Sequence, residues 1–158
     1  MTKLCCEVLS ALAGKTLVTA ESCTGGGIGA ALTGISGSSK VYKGGIISYT
    51  NWVKQHLLGV DEALLNDVGA VSAPVAEAMA RGAKAALGCD IALSTTGVAG
   101  PDPDDRGNPI GLVYLGLAYQ DQCYVTEFHA GKVARERIRR QSAQTALDLL
   151  RRYLTGLL

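Results

Sequence analysis

"TAESCTGGGIGA", residues 19–30, joins an apolar run to three consecutive glycines and then to Ile28-Gly29-Ala30. A short buried strand that passes through a glycine-rich loop into a helix is the opening unit of an α/β domain. Thr16 to Ala20 reads as the strand, Glu21 to Gly27 as the loop and Ile28 to Leu32 as the helix. The same alternation extends to both sides. Leu4 to Leu12 has helical apolar spacing, with Gly14 as its stop. Gly44 to Thr50 (GGIISYT) predicts a second strand. Asn51 is placed to cap a helix running to about Leu58, and Asp61 to cap another through Val68. Ser72 and Pro74 open a helix whose apolar face is Val75, Ala76, Met79, Ala80, Ala83 and Leu87, and Gly88 ends it. Asp90 to Thr96 is a third strand, followed by a polar loop from Gly97 to Pro109. Gly111 to Tyr119 and Cys123 to His129 form a hairpin, and Arg135 to Leu157 a closing helix. The expectation is one domain over residues 1–158: a three-layer α/β/α sandwich around a mixed, mostly parallel sheet of about five to six strands.

Bulk composition narrows the function classes. The 15 basic and 14 acidic residues leave a net charge of +1. That balance gives no electrostatic reason to expect nucleic acid or an anionic membrane. No apolar run approaches the ~20 residues of a membrane span. Cys5, Cys6, Cys23, Cys89 and Cys123 form no CxxC pair and have no histidine at ligand spacing. An odd, scattered set of this kind reads as reduced thiols in the cytoplasm, and no metal or cofactor is expected.

Three readings of the opening stretch compete. As a phosphate loop it lacks the Gly-Lys-Ser/Thr of a Walker sequence. Gly25 to Ala30 satisfies GxGxxA, but the second strand ends in Tyr49-Thr50-Asn51, not in the acid that would hold a ribose. As a nucleophile seat it offers Ser22 or Cys23 at a helix entrance, with backbone N–H groups from Thr24 to Gly26 (Thr24, Gly25, Gly26) available to an oxyanion. A serine needs a base. His56 and His129 have no sequence link to Ser22. Lys54, in "SYTNWVK", follows the second strand and could share the rim of the sheet with Ser22, with Tyr49 beside it. It would have to be neutral to act. The same spacing suits an exposed helix charge at Lys54 and a packed tyrosine. The third reading is a plain tight turn. Thr96 and Gly97 open a second Gly/Pro loop of the same kind, and Arg135, Arg137, Arg139 and Arg140 open the last helix.

Taken together, "AESCTGG" at 20–26, "GSS" at 37–39, "SYTNWVK" at 48–54, "GAVS" at 69–72 and "TGVAGP" at 96–101 resemble the C-terminal domain of the CinA competence/damage-inducible proteins. That family includes PncC-type nicotinamide mononucleotide (NMN) deamidases, which release ammonia from the carboxamide of NMN and leave nicotinic acid mononucleotide. The resemblance implies an α/β/α fold and an amidohydrolase of pyridine nucleotide salvage. By position it implies Ser22 as nucleophile, Lys54 as base and Tyr49 as its neighbour. Thr96 and Arg140 fall at further site positions. Thr24, Gly25, Gly26, Asn51 and Gly97 are the remaining candidates for holding substrate. It also implies a homo-oligomer. Two other functions stay open: a non-catalytic nucleotide-binding or regulatory module, and a partner protein linked to competence or DNA damage. The chain departs from the family pattern at Asp102–Arg106, where glycine is usual. It departs again at Gly131-Lys132-Val133, where Gly-Asp-Arg is usual.

Overall fold

A computed structural model describes residues 1–158. The chain forms α1 (Thr2–Ala11), β1 (Leu17–Glu21), α2 (Gly27–Thr33), β2 (Tyr42–Ile47), α3 (Asn51–Leu58) and α4 (Glu62–Val68). It continues with α5 (Ala73–Leu87), β3 (Ile91–Gly97), β4 (Leu112–Tyr119), β5 (Gln122–His129) and α6 (Arg135–Leu154). One five-stranded sheet has the order β2-β1-β3-β4-β5. β1 is parallel to β2 and β3, while β4 is antiparallel to both of its neighbours. The α/β expectation and the five-strand count therefore match the fold.

Each face of the sheet has its own core. On one side Leu17, Ile91, Leu93, Val113, Leu115 and Leu117 pack against Cys5, Val8 and Leu12 of α1, Ile28 and Leu32 of α2, and Ile138, Leu147 and Leu150 of α6. On the other, Val18, Ala20, Ala92 and Ala118 meet Val75, Met79, Ala80 and Ala83 of α5, with Leu58 and Leu65 from α3 and α4 beyond them. Because successive strand residues point to opposite faces, a strand covered on both is buried throughout. β1, buried at all five positions, shows this.

Most helix ends follow their local chemistry. Gly59 and Gly88 adopt the left-handed conformation that closes α3 and α5, and Asp61 accepts from the amide of Ala63 to start α4. Three expectations need correction. The second strand lies at Tyr42–Ile47, earlier than Gly44–Thr50. Thr50, not Asn51, caps α3: its backbone is extended and its side chain accepts from the amide of Val53. Residues 48–50 therefore turn out of the sheet to begin the helix. Ser72 does precede α5, but its hydroxyl donates to the carbonyl of Gly69 instead of capping the helix.

α5 lies so close to the end of α3 that a Cβ on Gly82 would stand 1.9 Å from the Leu58 carbonyl oxygen. Replacing glycine by alanine inside a helix ordinarily gains about 1 kcal/mol. Here overpacking against backbone reverses the sign. Gly82→Ala is expected to lose about 1–3 kcal/mol, read as a lower urea midpoint at unchanged m-value.

Candidate active site

The C-terminal ends of β1, β2 and β3 lie side by side. The chain leaves β1 toward β2 and leaves β3 toward β4 on the other side, so the loops after β1 and β3 part company. Open α/β sheets place their sites at such a divergence. Ser22 follows β1, Ser48 follows β2 and Gly97 ends β3. Main-chain bonds lock the three ends together, from Ser22 N–H to the Thr95 carbonyl and from Ser48 N–H to the Glu21 carbonyl, both at 2.9 Å.

Lys54 projects from α3 into this junction and is only 2% exposed. Its Nζ donates to the Ser48 carbonyl at 2.7 Å and to Ser22 Oγ at 3.1 Å. No carboxylate is bonded to it. Burial lowers its pKa to about 8 from the usual 10.5, because desolvation penalises the ammonium form. A far larger share of the molecules therefore carries a neutral amine near neutral pH than for a free lysine. In that form the Ser48 carbonyl still takes one N–H, and the nitrogen lone pair can accept the Ser22 hydroxyl proton. Cys23 is buried, and desolvation pushes its thiol up to about 11, with the Thr95 hydrogen bond the largest opposing influence. A thiol so weakly acidic supplies almost no thiolate near neutrality. Neither histidine approaches Ser22. His56 stacks on Trp52 and pairs with its carbonyl, and His129 pairs with Glu127.

The glycine loop is held by a group the sequence reading passed over. The Glu21 carboxylate is buried and accepts from Thr24 Oγ1 and from the amides of Gly26, Ile28 and Gly29. It thus occupies the N-terminus of α2, where an outside anion would otherwise bind. The Gly25 amide donates to the Ser22 carbonyl. Of the three loop amides expected to face an oxyanion, those of Gly25 and Gly26 are therefore already engaged. The Thr24 amide has no protein acceptor, and neither does that of Cys23. The Thr24 side chain, bonded to Glu21 and to Thr95 Oγ1, braces the loop from within.

The other candidates are distributed around the rim. Thr96 is buried and donates to the Ala70 carbonyl, fixing the start of α5's loop. Gly97 ends β3 hard against Val113. Asn51 is exposed on the first turn of α3. Tyr49 is 58% exposed, and its hydroxyl accepts from Arg135 at 3.0 Å, so it makes no bond to Lys54 or Ser22. Arg135 also donates to the Gly100 carbonyl. An arginine at the head of α6 therefore reaches the site rim despite the departure at 131–133. Arg140 is exposed and makes no hydrogen bond. It lines a cleft with Arg137, Gln141 and Gln144. Its neighbour Arg139 is the one that reaches the loop, donating to the carbonyls of Cys23 and Thr24. The departure at 102–106 ends in Arg106, whose guanidinium meets the carbonyls of Asn66 and Asp67 at the end of α4. A charge of that sign belongs at a helix C-terminus, and it ties the loop down there.

Residues 2–154 match the sequence profile described as the CinA C-terminal domain. A CinA-like protein of Geobacter sulfurreducens is 51% identical over 142 residues, covering 89% of this chain and 34% of that protein. One from Synechococcus elongatus is 50% identical over 145 residues, covering 91% and 34%. The chain thus spans about a third of the length of these relatives. Among solved structures, a competence/damage-inducible protein from Agrobacterium tumefaciens superposes with a TM-score of 0.92 at 37% identity, covering 98% of this chain and 94% of its own. Competence damage-inducible protein A from Klebsiella pneumoniae gives 0.95 at 30% identity, with 99% and 98% covered.

Proposed function

The chain belongs to the CinA C-terminal domain family, and from that premise we propose that it is an amidohydrolase. Its substrate in this reading is nicotinamide mononucleotide, converted to nicotinic acid mononucleotide and ammonia in pyridine nucleotide salvage. The observation that carries the reading is the buried Lys54 amine 3.1 Å from Ser22 Oγ, with its pKa brought to about 8. A module that only bound nucleotides would gain nothing from burying an ammonium beside a hydroxyl, which costs stability.

The chemistry runs in two halves. Ser22 Oγ attacks the carboxamide carbon while neutral Lys54 takes the hydroxyl proton. The carbonyl oxygen becomes an oxyanion facing the free amides of the Cys23–Thr24 turn. Lys54 returns the proton to the amide nitrogen, the C–N bond breaks and ammonia leaves. Water, deprotonated by the same amine, then attacks the acyl carbon and frees Ser22. In this reading the nucleotide phosphate is met at the rim by Arg135, which would give up its bonds to Tyr49 and Gly100, since the α2 terminus is filled by Glu21.

The test is ammonia release from NMN by the purified chain, with nicotinamide and NAD as comparison amides. Release from NMN supports the reading, and silence on all three removes it. Turnover also has a predicted pH dependence. Lys54 must be neutral, so kcat/KM rises with pH to a plateau above about 8 and falls about tenfold per unit well below it. A flat profile from pH 6 to 9.5 would exclude Lys54 as the base.

A further inference from the structure

The loop after Ser22 is gripped from one side by an arginine of α6, the helix that packs beside α2 on the same face of the sheet. In a trans peptide the C=O and the next N–H point in opposite directions. Arg139 Nε donates to the Cys23 carbonyl at 3.2 Å, and Nη2 to the Thr24 carbonyl at 3.1 Å. One guanidinium thus holds two successive peptide units with their carbonyls turned toward α6. Their N–H groups, those of Thr24 and Gly25, must turn away from α6. The Gly25 amide shows where that direction leads: it reaches the Ser22 carbonyl. The Thr24 amide is swung to the same side and meets no protein acceptor.

Room for the clamp comes from the glycine. Gly25 has φ +58°, and a Cβ there would stand 3.1 Å from Arg139 Nη2. The second carbonyl is shared, since Thr24 also accepts from the Gly27 amide at the start of α2. The guanidinium lies along a cleft of about 370 Å³ between α2 and α6, lined by Thr24, Gly27, Ala31 and Ala143 among others.

We infer that Arg139 is a positioning residue for acyl transfer: its two-carbonyl clamp orients the Thr24 N–H toward the oxygen that becomes negative when Ser22 attacks. This rests on the serine amidohydrolase reading but not on NMN being the substrate. An amide already placed before the reaction needs no reorganisation during it. Loss of the cation frees the 23–24 peptide to rotate while Ser22 and Lys54 remain where they are. The effect belongs to the chemical step, so kcat falls and KM holds.

The experiment follows two readouts in wild type, Arg139→Ala and Arg139→Lys. The first is the rate at which an alkyl fluorophosphonate modifies Ser22, measured by intact mass, since that reaction also develops charge on an oxygen held by the same donor. The second is kcat and KM with NMN. Arg139→Ala is expected to label about tenfold to a hundredfold more slowly, a fraction of what a lost oxyanion donor costs. Its kcat falls by a similar factor at unchanged KM. Free guanidinium at millimolar concentration, far below denaturing levels, restores part of the rate by entering the vacated cleft. Arg139→Lys, a point charge without the fork, stays slow. Labelling at the wild-type rate, or a loss that guanidinium does not restore, overturns the inference. Where Arg139→Ala fails to fold, Arg139→Gln keeps one N–H donor and should label at an intermediate rate; a wild-type rate overturns the inference equally. A wild-type chain that takes phosphonate on Ser22 but releases no ammonia from NMN removes the substrate and leaves the clamp standing.

Discussion

Lys54→Met will abolish turnover and make the protein more stable. The two effects have one origin. In the folded chain the Lys54 pKa is about 8 against 10.5 for a free lysine, so folding at neutral pH keeps a charge in a largely dehydrated place. The unfolded state binds more protons between those two pH values, and wild-type stability therefore rises from about pH 8 to 10.5. Below pH 8 the full penalty applies, on the order of 3–4 kcal/mol. Methionine fills a similar length without the charge, but it leaves the Ser48 carbonyl and Ser22 Oγ without their partner. The net gain is expected to be about 1–2 kcal/mol, which raises the melting temperature by roughly 2–8 °C for a domain of this size. The gain is largest below pH 8 and fades by about pH 10.5. Melting curves at pH 7 and pH 10 test this together with an ammonia assay. A variant that is less stable at pH 7 would mean that Lys54 is held by compensating contacts and is not strained.

Ser22→Ala is expected to lose turnover by about a thousandfold or more, because no other nucleophile is hydrogen-bonded to the amine. Cys23→Ala is expected to keep activity within a few-fold. The adjacent thiol is the natural competitor on sequence grounds, and the structure separates the two. Ser22 Oγ is bonded to Lys54, while the Cys23 thiol is buried with its pKa pushed up to about 11. An inert Cys23→Ala with an active Ser22→Ala would transfer the nucleophile to the thiol and leave the reaction type intact.

The sequence made the layers legible, for a physical reason. Buried strands, helix stops and turns each have local signatures, so β1, β3, α5 and the hairpin could be placed from residues nearby. Ser22 and Lys54 each follow a strand, and strand ends share a rim, but the same spacing suited an exposed helix charge at Lys54, and it was the family resemblance that carried the pairing. The second strand was displaced because Ser48, Tyr49 and Thr50 look extended; Thr50 is extended, but as the N-cap of α3 and not as part of the sheet. What escaped were groups that act through the main chain. The Ser48 carbonyl anchors Lys54, and no side-chain pattern announces a carbonyl. Arg139 and Arg140 are neighbours in a run of arginines, and only the phase of α6 decides which faces the loop. Glu21 did leave a signal: an acid at the end of an apolar strand, directly before a glycine-rich helix start.

That carboxylate has a consequence for chemists choosing ligands. The glycine run looks like a cradle for phosphate, yet four donors there already serve Glu21. The loop carries its own resident anion, tethered and therefore present at an effective concentration no free ligand can match. Screening collections rich in phosphates, sulfonates or carboxylates will find no vacancy at the end of α2. Neutral carbonyl warheads, whose charge appears only after Ser22 has added to them, are the better starting set.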